Sequence, residues 1–296
     1  MKKIKEIALE KNPSRFKDLV ELVKLKLTLM VVFTSMIGYL IATGGVIEWS
    51  ILALLLSGGF LITCASNTMN EVLEKDYDAL MSRTSDRPLP TGRIAVSDAI
   101  IFAGLSCIVG IFLLALINPL TALLGAASFV LYAFVYTPLK RVSPIAVLIG
   151  AIPGALPAAI GFVAFDGVLS SMAIILFSIQ FIWQMPHFWA IGWLAYEDYS
   201  KAGYKLLPKM ELGKSSEIGK QSFIYTLFLI PVSLMPWYFG FLGIGFTSLV
   251  LITCLFYTWK AWKFYRDNNK DSARSLLFAS LYYLPTAFIV LFIGSL

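Results

Sequence analysis

Charge is scarce in this chain. Only 14% of its 296 residues are Asp, Glu, Lys or Arg, against roughly 25% in soluble globular domains, which excludes an ordinary water-soluble fold. Histidine occurs once, at His187; a Ser-His-Asp triad would have to use it, and no G-x-S-x-G elbow is present to supply the nucleophile. Neither a P-loop nor a dinucleotide fingerprint occurs, and no strands are expected to precede one, so nucleotide binding through those folds is excluded. Cys64, Cys107 and Cys254 stand apart in apolar runs without C-x-x-C spacing and read as small core residues. With no tandem repeat, low-complexity tract or linker, residues 1–296 are expected to form a single membrane domain.

What fills the chain is hydrocarbon, with 58% of residues hydrophobic. Apolar stretches near the roughly 20 residues that cross a bilayer as helix lie at about 27–45, 50–69, 98–117, 119–138, 143–164, 168–190, 222–241, 242–262 and 276–296. The expectation is therefore an all-α integral membrane protein with nine transmembrane helices. Basic residues should collect in cytoplasmic loops. With the N-terminus inside, all 24 Lys and Arg sort to that side, leaving only Glu48 and Asp166 opposite. This supports a cytoplasmic N-terminus and a C-terminus on the opposite side, in a cell membrane (plasma or inner membrane). The net charge of +6 then reflects orientation in a lipid bilayer, with no nucleic acid as partner. Residues 1–25, with Phe16, Leu19, Val20 and Val23 at helical spacing among lysines, read as an amphipathic helix on the inner membrane surface.

The densest polar island is NEVLEKDYDALMSRTSDRPLPTG, Asn70 to Gly92. Asn70, Glu74 and Asp78 recur every four residues, which stacks three oxygen-bearing side chains along one helical face. Mg²⁺ favours such hard oxygen ligands and is typically held by one or two carboxylates plus substrate phosphates. The competing reading is a solvated helix with ordinary i,i+4 pairs such as Glu71 with Lys75. Adjacency to a membrane span and the following Arg83, Arg87 and Arg93 favour a functional face.

Two further loops are expected on the same side. YTPLKRVSP offers Tyr136, Lys140 and Arg141, either a phosphate contact or a positive-inside anchor. WQMPHFWAIGWLAYEDYSKAGYKLLP, residues 183–208, sets His187 among Trp183, Phe188, Trp189 and Trp193, followed by Glu197, Asp198, Lys201 and Lys205. It reads either as a binding loop with carboxylate oxygens and phosphate-directed lysines or as a solvated connector. His187 itself is open between a buried hydrogen-bonding residue and a ligand.

Asn70, Glu74 and Asp78 followed by MSRTSDRPLPTG resemble the first aspartate-rich motif, N-x-x-x-[DE]-x-x-x-D, of the UbiA-type intramembrane prenyltransferase superfamily. DALMSRTSDRPLPTG (78–92), YTPLKR (136–141), GAIPGALP (150–157), and WQMPHF with EDYSKAGYKLLP (183–188, 197–208), in that order, resemble most closely the haem O synthases, the protoheme IX farnesyltransferases. Where the superfamily's second motif reads D-x-x-x-D, Leu194 stands four residues before Asp198, so one acidic position of a second Mg²⁺ site is missing.

The resemblance implies nine helices around a central cavity. It also implies Mg²⁺-dependent transfer of farnesyl from farnesyl diphosphate to a vinyl group of haem B, with diphosphate released. It assigns Asn70, Glu74, Asp78 and Asp198 to the metal, and Arg83, Arg87, Lys140, Arg141 and Lys205 to the diphosphate. Tyr136 and Trp183 become cavity walls, and His187, with Trp183, orients or ligates haem. A downstream haem-modifying enzyme is a further expected partner. Two rivals stay open: the same fold acting on a quinone precursor or chlorophyllide, and a transporter, which would place its charges within the spans.

Overall fold

The computed structural model describes residues 14–207 and 216–296. Residues 1–13 of the expected amphipathic segment, and Lys209 and Lys214 of the basic loop, lie outside the described residues. The elements are α1 (Arg15–Leu22), α2 (Leu25–Thr43), α3 (Trp49–Asp78), α4 (Val96–Ala115), α5 (Pro119–Leu139), α6 (Ala146–Asp166), α7 (Ser171–Leu194), α8 (Tyr196–Lys201), α9 (Glu217–Tyr238), α10 (Ile244–Asp267) and α11 (Lys270–Ser295). All but α1 and α8 are long and apolar enough to span a bilayer, nine helices among the described residues, and no described residue is in a strand.

Helices α2 to α6 pack as one group and α7 with α9 to α11 as another, joined where α6 meets α7 and where α2 meets α11. The central helix α6 carries GAIPGALPAAIG (150–161), small residues that let backbones approach closely. A Cβ on Gly38 of α2 would fall 2.1 Å from the Ala158 carbonyl oxygen of α6, and one on Gly161 would fall 1.8 Å from that of Ser35. Only glycine allows this crossing. Outward-facing Ile100, Ile101, Leu105, Ile108 and Phe112 of α4 are exposed, as a lipid-facing helix requires.

Two local irregularities position the site. Lys24, between α1 and α2, has φ 48°, a left-handed conformation uncommon for a residue with a side chain, and it turns the chain from the surface helix into the first span. In α5 the stretch Leu131–Tyr136 is a π-helix, an irregularity often found at functional sites. α3 runs without a break from Trp49 to Asp78, beyond the span expected at 50–69, so the polar ladder belongs to the spanning helix itself.

Candidate active site

The final turns of α3 hold Asn70, Glu71, Glu74 and Asp78, all between 0 and 4% exposed. Buried charges must be paired, and three cations from three separate segments meet them. Lys24 donates to Asn70 Oδ1 at 2.8 Å and lies 3.8 Å from Glu71 Oε1. Lys140, just past α5, contacts Glu74 Oε1 at 2.7 Å. Arg87, in the loop after α3, donates to Asp78 Oδ2 at 2.7 Å and reaches within 3.7 Å of Glu71 Oε1. Three carboxylates against three cations make the cluster neutral overall. Asn70 Nδ2 bridges the helices, donating to Glu74 Oε2 and to Thr137 Oγ1 of α5 at 2.9 and 3.0 Å.

The environment acts differently on each cation. Burial, reinforced by Arg87 and Lys140 and opposed by Glu71 and Glu74, lowers Lys24 to a pKa of about 8. Burial also disfavours charge on Lys140, but Glu74 together with Tyr132 and Tyr199 raises the group above the ordinary lysine value. For Arg87, Glu71 and Asp78 outweigh burial in the same way. Tyr204, in the loop after α8, is pushed up by burial and by the nearby Glu74 and Asp78.

Glu71 does not pair with Lys75 as a solvated helix would have it; it is sealed inside the cluster, and neither of its carboxylate oxygens accepts a hydrogen bond. Lys24, Glu71 and Tyr204 are site residues that the sequence patterns did not single out.

The three loops do converge. Ser82 Oγ donates to Asp198 Oδ2 at 3.3 Å, linking the loop after α3 to α8. The Lys205 N–H donates to the Lys140 carbonyl at 2.7 Å, and Met81, Ala202 and Tyr204 form a small buried cluster. Not every candidate joins the centre. Arg83 and Lys205 are exposed, and neither makes an ion pair among the described residues. Arg141 turns away from the carboxylates: its guanidinium donates to the Leu73 carbonyl and lies 3.8 Å from the centre of the Tyr77 ring. Arg93 ties the loop to the surface helix instead, donating to buried Asp18 of α1 at 2.8 Å.

Beside the cluster is a cavity of about 210 Å³ lined by Tyr136, Val147, Gly150, Phe188, Tyr199 and Leu206, among others. Lys140 Nζ, paired with Glu74, sits 4.7 Å from the ring centre of Tyr136, which lines the cavity. Trp183 and His187 lie deeper in α7, stacked at 5.1 Å and 22°. His187 Nδ1 is 2.7 Å from Ser280 Oγ of α11, and Trp183 Nε1 donates to the Ser280 carbonyl at 2.7 Å.

Among the described residues no three His, Cys, Asp or Glu side chains are gathered to hold a metal alone. The donor set nevertheless fits Mg²⁺. It offers hard oxygens on adjacent turns of one helix, with Glu71 oxygens that are buried and unsatisfied, and Mg²⁺ usually completes its shell with water and substrate phosphate.

The model of the UbiA prenyltransferase family matches residues 31–282. A relative from Cytophaga hutchinsonii called protoheme IX farnesyltransferase is 43% identical over 273 residues, covering 92% of this chain and 95% of that protein. Among solved structures, one of a digeranylgeranylglyceryl phosphate synthase superposes with a TM-score of 0.79 at 19% identity, covering 96% of this chain and 99% of that one. A UbiA homologue from Archaeoglobus fulgidus, bound to DMAPP and Mg²⁺, gives 0.68 at 17% identity, covering 93% and 99%. Those two likenesses speak to the fold, whereas the family match and the full-length relative carry the assignment: the chain belongs to the UbiA prenyltransferase family.

Proposed function

We propose that this protein transfers the farnesyl group of farnesyl diphosphate to a vinyl group of haem B, with Mg²⁺ as cofactor, at the cytoplasmic face of the cell membrane. The observation that carries the reading is the neutral, buried cluster of three carboxylates and three cations set against an aromatic-walled apolar cavity. The acceptor is taken from the relative's name. A haem-modifying enzyme that receives the product is part of the same reading.

In the chemistry, the allylic C–O bond of farnesyl diphosphate breaks, a C–C bond forms to the terminal vinyl carbon, and a water supplies the hydroxyl, its second proton being released. Products are haem O and diphosphate. Arg87, Lys140 and Lys24 are positioned to receive the diphosphate, Arg87 through the bidentate geometry that suits phosphate oxygens. Asn70, Glu74 and Asp78, with Asp198 from α8, would hold Mg²⁺, which stabilises negative charge developing on the leaving group. In this reading the partners would exchange, with Arg87 and Lys140, here paired with Asp78 and Glu74, turning to the phosphate. Tyr136 and Phe188 present ring faces that tolerate the allylic cation while excluding water from it. His187, stacked on Trp183, serves the haem.

Reconstituted protein with farnesyl diphosphate, Mg²⁺ and either haem B or 4-hydroxybenzoate tests this. Mass spectrometry should find haem carrying one added farnesyl and one hydroxyl. Prenylation of the benzoate in place of haem would replace the reading with a quinone-precursor enzyme.

A further inference from the structure

Ser280 is an apolar-span serine with no part in the charged cluster, yet it grips two neighbouring aromatic side chains of α7 at once. It is fully buried. Its carbonyl accepts from Trp183 Nε1 at 2.7 Å, and its hydroxyl faces His187 Nδ1 at 2.7 Å. That hydroxyl has a single proton, which is committed to the Leu277 carbonyl at 2.5 Å. The oxygen is therefore the acceptor towards His187, and the imidazole must carry its proton on Nδ1. Nε2 is left with its lone pair. It has no hydrogen-bond partner among the described residues, and His187 is half-buried rather than fully enclosed. The ring cannot swing freely: it is stacked on Trp183, whose own carbonyl accepts from Tyr257 at 3.1 Å, and it meets Phe188 edge-on at 5.6 Å.

Metal-ligating histidines commonly donate their other ring N–H to a fixed acceptor, which sets tautomer and orientation and raises the basicity of the ligating nitrogen. We infer that Ser280 is a positioning residue that holds His187 as the Nδ1–H tautomer, so that Nε2 coordinates the iron of the haem substrate. The inference rests on the proposed haem specificity. Coordination would use the Nε2 lone pair and lose no proton, since the only ring proton stays on Nδ1 facing Ser280. The tetrapyrrole is thereby anchored at α7, on the helix that also contributes Phe188 to the cavity wall.

Ferric haem B is titrated into the purified full-length protein in nanodiscs, with absorption and electron paramagnetic resonance spectra recorded for wild type, His187→Ala, Ser280→Ala and Ser280→Thr. Farnesyl diphosphate binding is measured in parallel as a control on folding. Wild type should give a histidine-ligated spectrum that His187→Ala abolishes. Ser280→Ala should weaken haem binding about tenfold or more, the scale expected for loss of such a partner, and alter the axial-ligand signature. Ser280→Thr, which restores the hydroxyl, should recover both, with farnesyl diphosphate affinity constant throughout. A wild-type spectrum and affinity in Ser280→Ala overturns the role of Ser280, and an unchanged spectrum in His187→Ala overturns the ligation with it. A His187-dependent spectrum in a protein that makes no haem O would instead overturn the farnesyl-transfer reading and leave the ligation standing.

Discussion

At the end of α3, polar groups are buried as full charges, and each carboxylate is met by a cation from another segment: Glu74 by Lys140, Asp78 by Arg87, Glu71 by both Lys24 and Arg87. At the α7–α11 contact the buried groups are neutral, and His187 and Trp183 are fixed by hydrogen bonds to one serine. The two regions suit different ligands. A set of paired charges can exchange partners with a charged guest at little net desolvation cost, because the guest replaces one counter-charge with another. A neutral, hydrogen-bonded imidazole can offer a lone pair without altering the charge of the membrane interior. In the proposed reaction, diphosphate and metal would go to the first and a flat metalloporphyrin to the second.

The comparison breaks most visibly at Arg87. Arg87→Ala removes a fixed positive charge from the developing leaving group, and the turnover measured with saturating haem B should fall about 10²–10³-fold, while haem binding at His187 is untouched. Loss of haem affinity to the same degree would merge the two regions into one.

The Lys140–Glu74 pair separates stability from function. Removing one member strands a buried charge, which costs about 3–5 kcal/mol, whereas replacing both with uncharged residues of similar volume is often neutral. Glu74→Gln and Lys140→Met should each lower the denaturation midpoint in detergent. The double variant should regain much of the stability and still fail to release diphosphate.

A smaller effect is expected from pH. Lys24, with its pKa lowered to about 8, is charged below that value and neutral above it. In the unfolded chain the ammonium persists to about 10.4, so between those limits the unfolded state binds more protons and stability gains from this residue as pH rises. Binding should move the other way: farnesyl diphosphate affinity weakens as pH climbs through about 8, and Lys24→Arg, charged throughout, should flatten the profile in a titration across that window. The smallest effects belong to Arg83→Ala and Lys205→Ala, whose exposed side chains pair with nothing described. Turnover within about twofold of wild type is expected, in keeping with the ±0.5 kcal/mol typical of surface changes.

Much of this arrangement is legible in the sequence because it follows a helical period. The spans announce themselves by length, and the spacing of Asn70, Glu74 and Asp78 marks one face of α3. Glu71 escapes that logic: it sits about 100° round from Asn70, outside the stripe, and its ion-pair partners Lys24 and Arg87 come from segments distant in sequence. Lys24 lies 46 residues from the Asn70 it contacts, and its reach depends on a left-handed turn that no motif signals. Nor do neighbouring letters reveal that Lys140 points to Glu74 while Arg141 points to the Leu73 carbonyl; in the turn that follows α5, one residue step sends them to different sides. Ser280, 93 residues from His187, reads in sequence as one more small residue in a span.

The most direct test of the partner exchange is a structure determined with Mg²⁺ and a non-hydrolysable farnesyl diphosphate analogue. The expected result has Arg87 and Lys140 on phosphate oxygens, with Asp78 and Glu74 turned to the metal. An analogue bound elsewhere, with the 2.7 Å contacts of Arg87 to Asp78 and Lys140 to Glu74 intact, would contradict the account.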